Sequence, residues 1–266
     1  MKTTAKISLL VPLLIIQFLA CKKKPEIPPV QVSTCKLVNF TYTTPANRNT
    51  DFSGQVNYNS VGNPISVIVS PVQTGNTHAL FLYDKYNRLT DYIASYGNNT
   101  DPANLPASFL FEFWTRYVYA DDNPASLPIR DTFRTVGQYT NGVFVFGSLM
   151  TIETNTYDAQ NRIVQVTSSG NIMTRTYAYD ANGNLVLPGV TYDNKKNFRQ
   201  GNKVFMLIDR NYSKNNPLTA AQYNSEGYPT VFPPAPAIGV HDSFIRRGMN
   251  FKTMDYACSV GTAGAQ

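Results

Sequence analysis

From residue 35 onward, apolar and polar positions alternate in short runs separated by clusters of Asp, Asn, Gly and Pro. A period of two with that punctuation predicts β-strands joined by tight turns. The strongest alternation is FLFEFWTRYVY at 109–119. There Phe109, Phe111, Phe113, Tyr117 and Tyr119 fall on one face, and Leu110, Glu112, Trp114, Arg116 and Val118 on the other. Residues 36–42, 143–152, 161–168, 172–179, 203–209 and 249–257 read as further strands. Helical periodicity is weak throughout. The segment 217–224 can form one or two turns behind Pro217, and the prolines within 229–241 make that stretch a loop. The expectation is an all-β protein, an antiparallel hairpin meander curled into a barrel-like or sandwich-like sheet with Phe and Tyr inside. An open sheet of so many strands must twist, curl or split to protect its apolar face.

One phrase recurs along these strands, and 177–187 holds its cleanest copy: Tyr-Ala-Tyr-Asp-Ala-Asn-Gly-Asn-Leu-Val-Leu. Asp at the first turn position accepts backbone hydrogen bonds, and Gly at the fourth takes positive φ. Asn-Gly between alternating runs is a hairpin signal. Copies begin at Tyr58, Tyr83, Tyr119, Tyr157, Tyr179, Tyr192 and Tyr223, at intervals ranging from 13 to 38 residues. So uneven a period argues for a meander with unequal loops rather than a regular solenoid. These residues resemble the tyrosine-aspartate (YD) repeats of Rhs-type proteins, and more closely uncharacterised YD-repeat lipoproteins of the Bacteroidota type. The chain is too short to enclose a cargo as the long Rhs shells do.

The N-terminus alters the picture of where such a domain would work. Lys2 and Lys6 precede an apolar segment, Ile7 to Leu19, shorter than a bilayer span. It ends at Phe18-Leu19-Ala20-Cys21, which resembles a bacterial lipobox with Phe18 and Leu19 in relaxed positions. The resemblance implies a signal peptide over 1–20, cleavage before Cys21 and lipidation there, with palmitate among the acyl chains; an ordinary signal peptide is the alternative. Residues 21–34, rich in proline, read as an extended tether, 35–258 as a single β domain and 259–266 as a disordered tail. Surface-bound lipoproteins of this type commonly carry acidic residues after the lipidated cysteine. Lys22–Lys24 depart from that pattern, so the expected address is the periplasmic side of the outer membrane rather than the cell surface.

Charge and chemistry narrow the function further. Lys2, Lys6, Lys22, Lys23 and Lys24 account for five of the 23 basic residues and Glu26 for one of the 17 acidic ones, which leaves residues 35–266 at +2. A nucleic-acid partner is therefore not expected; the Lys22–Lys24 run suits anionic headgroups. In an oxidising compartment Cys35 and Cys258 can pair and tie the first strand to the last, the alternative being two unrelated thiols. Neither a metal nor another cofactor is expected from two cysteines and two histidines so scattered. His241-Asp242 point to opposite faces if on a strand, and His78 reads as a loop or strand-end residue.

No nucleophile elbow, zinc-helix or phosphate-loop spacing occurs, so catalytic residues are not assigned. The expectation is a membrane-anchored, non-enzymatic binding or envelope-structural module whose partner is a glycan or an envelope protein. Trp114, Tyr92, Tyr96 and Tyr139 are the candidate stacking platform, ordinary packing being the competing reading. The alternative function is a glycan-hydrolysing enzyme using Glu112 and Glu153, which must face one cleft within about 10 Å. Glu112, if buried among aromatics, would have a raised pKa; on a wetter face it would pair with Arg116.

Overall fold

The computed structural model describes residues 31–44, 50–97, 105–147, 150–169, 173–217, 220, 222–233 and 242–262. The segments read as signal and, up to residue 30, as tether, with Cys21, His241 and the last four residues, lie outside the described residues. Fifteen strands form: β1 (Gln31–Thr43), β2 (Phe52–Tyr58), β3 (Pro64–Ser70), β4 (His78–Tyr83), β5 (Leu89–Ser95), β6 (Ser108–Tyr119), β7 (Pro128–Thr140), β8 (Val143–Gly147), β9 (Met150–Tyr157), β10 (Ile163–Ser168), β11 (Thr174–Thr176), β12 (Gln222–Tyr223), β13 (Pro229–Val231), β14 (Asp242–Phe244) and β15 (Arg247–Thr262). Thirteen lie side by side in the order β11-β10-β9-β7-β6-β5-β4-β3-β2-β1-β15-β13-β12, with β8 paired to β7 and β14 to β15. All pairings are antiparallel. The all-β meander expected from the alternation is present. It is an open sheet ending at β11 and β12, not a closed barrel.

Turn chemistry repeats at five of the seven tyrosine copies. Asn59, Asp84, Asp158, Asp180 and Asn224 each accept, through Oδ1, the backbone N–H four residues on. The fourth residue of the turn, Gly62, Asn87, Asn161, Gly183 or Gly227, holds a positive φ of 61–90° and donates its N–H back to the first. The copy at Tyr119 is a wider loop organised by Asp121, which accepts from Asn123 N and Ser126 Oγ. At Tyr192 there is no hairpin. Asp193 instead gathers Asn216 and the Tyr223 hydroxyl.

The tyrosines interlock one copy with the one before. Tyr83 donates its hydroxyl to Pro64 O (2.6 Å), Tyr119 to Leu89 O (2.9 Å), Tyr157 to Pro128 O (2.8 Å) and Tyr192 to Leu185 O (2.5 Å). Each acceptor is the first residue to leave the preceding turn, and Tyr179 makes a longer version to Ile163 O at 3.5 Å. Arg88 and Arg162 follow two of the turns. Each pairs with its own aspartate at 2.7 Å and lies over the tyrosine of the next copy, Tyr119 at 4.2 Å and Tyr179 at 4.1 Å.

The main core lies on one face of the sheet, against a plug contributed by residues 198–217, Ala220 and the β14–β15 turn. Leu37, Phe40 and Tyr42 of β1, Phe81 of β4, Tyr92 of β5 and Phe251 of β15 meet Phe198, Phe205 and Phe244 there. Gly54, opposite Phe40 in the β1–β2 ladder, is required by this packing: a Cβ would sit 2.2 Å from the Phe40 ring. The plug holds the largest departure in element type. Residues 203–209, expected as a strand, form an α-helix, α1 (Lys203–Asp209). Asn202 caps it by accepting Val204 N–H, and Val204, Phe205 and Ile208 bury one helical face. A wholly apolar VFMLI run carries no period, and the cap decided the outcome. The segment 217–224, expected to turn helically, contains β12 instead, and the described part of 229–241, expected as a loop, opens with short β13.

β1 and β15 pair from Gln31↔Thr262 to Thr43↔Asn250, so strand extends into the residues read as tether and tail. Cys35 and Cys258 are direct partners in that ladder, 4.0 Å apart at Cα and disulfide-bonded. The phrase at 177–187 is more modest than its sequence suggests. It closes through one bridge, Tyr179↔Leu185, because its neighbours join the plug rather than a strand pair.

Candidate functional site

The four proposed stacking aromatics do not make one platform. Tyr92 is fully buried in the main core, stacked on Phe81 at 5.4 Å, and its hydroxyl donates to Ile245 O at 2.5 Å. Trp114 lies on the opposite face, where its neighbour Ile93 also points, and is 2 % exposed. It packs with Phe109, Phe111 and Tyr139 and donates Nε1–H to Asp91 at 2.7 Å. Tyr96 is occupied with Glu112. The alternation at 109–119 also breaks. The β5–β6 register skips Glu112 between Phe111 and Phe113, so Phe109 and Phe111 join Trp114 while Phe113 meets Tyr92. One extra residue in a strand swaps the faces that follow.

Glu112 and Glu153 share no partner. Glu112 accepts from Gly75 N and the Tyr96 hydroxyl, and the arginine expected beside it, Arg116, pairs with Asp91 instead. Glu153, on β9, binds Arg175, Arg210 and Ser168. His78 opens β4 and accepts Val69 N–H at Nδ1.

Glu153 belongs to a cavity of about 370 Å³ on the plug side of the sheet. Phe113, Phe133 and Glu153 form its floor from β6, β7 and β9; Arg175 and Tyr177 flank it; Ile208, Asp209, Arg210 and Arg246 close over it. Two of its arginines hold left-handed backbone. Arg210 ends α1 at φ 53°, its N–H bonded to Leu207 and Met206 carbonyls. Ile245 (φ 47°) and Arg246 (φ 58°) form the two-residue β14–β15 turn, where Asn-Gly would be the ordinary choice. Tyr92 and Asp209 fix that turn by accepting or donating hydrogen bonds: the Tyr92 hydroxyl to Ile245 O, and Arg246 N–H to Asp209 Oδ1. A β-branched residue at positive φ is strained.

The charges interlock. Arg199 and Asp209 pair at 2.7 Å with no exposure, and Arg210 joins Asp131 (2.9 Å) to Glu153. Burial alone would raise the Glu153 pKa, but Arg210, then Arg175 and Arg246, outweigh it and hold the carboxyl below the usual range. Burial likewise works to lower Arg210, and Asp131 and Glu153 more than restore it. Around this network, Tyr117 Oη, Asp131 Oδ1, Asn155 Oδ1 and Arg246 Nη2 are buried without a hydrogen-bond partner. No sequence motif announced the cavity, since its residues come from six separate segments.

A family model for the RHS repeat matches residues 157–195, the stretch containing the copies at Tyr157, Tyr179 and Tyr192. The chain therefore carries an RHS-type (YD) repeat there. A search of curated proteins finds no match to the chain.

Proposed function

We propose that the chain is a membrane-anchored lipoprotein whose β domain works as a non-enzymatic binding or envelope-structural module. The observation that carries the non-enzymatic reading is the state of Glu153. Arg210 and Arg175 both bind it and, with Arg246, hold its carboxyl below the usual range, which disfavours proton donation to a leaving group, and Glu112 has a separate set of partners. The cavity's charged side chains are held in mutual ion pairs, which suits recognition. Lipidation at Cys21 and a periplasmic address rest on the lipobox resemblance and on Lys22–Lys24. The anchoring segment would feed directly into β1, an interior strand bonded on both sides and stapled through Cys35.

Two measurements test this. Cells given labelled palmitate should incorporate it into the wild-type chain and not into Cys21→Ala; label retained by the variant refutes the anchor. Reducing-end release from a panel of envelope glycans should stay at background for both wild type and Glu153→Gln. Turnover abolished by Glu153→Gln would make the protein an enzyme.

A further inference from the structure

The cavity beside the C-terminal end of α1 has its charges arranged in depth. Its carboxylates are innermost, the side chains of Asp209, Asp131 and Glu153 being 0, 1 and 10 % exposed. Two of its guanidiniums are more exposed, Arg246 at 19 % and Arg175 at 44 %, while that of Arg210, at 7 %, lies as deep as the carboxylates. An entering molecule meets cations first, although the local charges nearly balance.

The hydrogen bonding is also incomplete on the cationic side. Arg246 Nη2 is buried with no hydrogen-bond acceptor, and its ion-pair partner Asp131 Oδ1, 3.8 Å away, accepts no hydrogen bond either. Arg175 can turn to a second acceptor without stranding Glu153, because Arg210 holds that carboxylate's other oxygen. The floor is aromatic: Phe113 and Phe133 lie 5.9 Å apart at 34°, with the Arg246 guanidinium 5.4 Å above Phe133. A volume of about 370 Å³ lies at the small end of ligand pockets, as a single ring would need.

We infer that this cavity binds a small organic anion, a ring compound bearing one carboxylate, with the carboxylate between Arg175 and Arg246 and the ring against Phe113 and Phe133. The planar fork of a guanidinium matches a carboxylate in geometry and charge. A cationic ligand finds its counter-charges deep and already paired, and a neutral ring leaves the Arg246 donor unanswered. The assignment rests on the binding reading above and names its ligand class.

The test is calorimetry and ligand-observed NMR on the full chain with benzoate and glucuronate, using benzamide and glucose as their neutral counterparts. At least one carboxylate should bind saturably and at least about tenfold more tightly than its neutral counterpart, the worth of one charge-assisted hydrogen bond. Arg175→Gln should weaken it by a similar factor while the chain still melts in a cooperative transition. Arg175 is the deciding position because the Arg246 side chain also holds Ile208 O and Thr115. Absence of saturable carboxylate binding, or unchanged affinity in Arg175→Gln, overturns the inference. Equal affinity for the neutral ring overturns the charge assignment while leaving a binding module in place. The anchor and the absence of turnover are read by the separate palmitate and glycan assays, so they can stand or fall independently.

Discussion

The tyrosine ladder gives this fold an alkaline limit. Tyr58, Tyr83, Tyr119 and Tyr157 each donate a hydrogen bond of 2.6–2.9 Å to a backbone carbonyl, Tyr58 to that of Leu37. Burial pushes all four phenols well above their ordinary value. The unfolded chain releases these protons from about pH 10, while the folded chain retains them. Their contribution is therefore complete below pH 10 and is lost as pH rises towards the folded values. Linkage removes about 1.4 kcal/mol per such group by pH 11, or about 6 kcal/mol for four, trimmed by their partial exposure. Typical domain stability is about 5–15 kcal/mol, so the sheet should fail near pH 11. Phenolate absorbance and far-ultraviolet circular dichroism should change together in one cooperative step. Replacing Tyr83 and Tyr157 by Phe should each cost about 1 kcal/mol at neutral pH, yet move the alkaline transition upward. Smooth phenolate titration centred at about pH 10, with the sheet signal intact, would refute the reasoning.

Other outcomes follow from the same geometry. Reduction should add two hydrogens to the intact mass, and Cys35→Ser with Cys258→Ser should lower stability by up to about 5 kcal/mol, the chain-entropy ceiling for a separation of 223 residues, read by denaturant melts. Glu153 is held below its ordinary pKa, so its stabilisation is present above about pH 4.5 and fades as pH falls further; Glu153→Gln should flatten that acid limb in thermal melts. Phe205→Ala should cost about 3–5 kcal/mol, since its ring meets Phe81 and Phe244 at the centre of the plug.

The architecture was legible where local chemistry repeats. Asp84, Asp158 and Asp180 with Asn87, Asn161 and Gly183 announce their turns by type and spacing, and tertiary structure only had to accept them. The cavity was not legible, because Asp131, Glu153, Arg175, Arg210 and Arg246 are brought together by plug and sheet, and nothing local marks them. The Ile245-Arg246 turn defied its own residue preferences, being held by Tyr92 and Asp209 from outside. Trp114 is the one tryptophan of the chain, but an aromatic surrounded by other aromatics in alternation is packing first. The face swap at Glu112 was invisible for a related reason: alternation fixes a face only until a residue is inserted.

Strand direction gives the molecule a polarity. β1 enters at Gln31 beside Thr262 of β15, and β2 runs back to end at Tyr58 on that same side. Because the sheet is an antiparallel meander, the corners after Tyr58, Tyr83 and Tyr157 all gather at this pole. On the anchored reading that pole is proximal to the lipid. A label fused after Thr262 would report the membrane surface, whereas one inserted at the β3–β4 turn, residues 71–77, would stand at the distal pole, a full strand length further out.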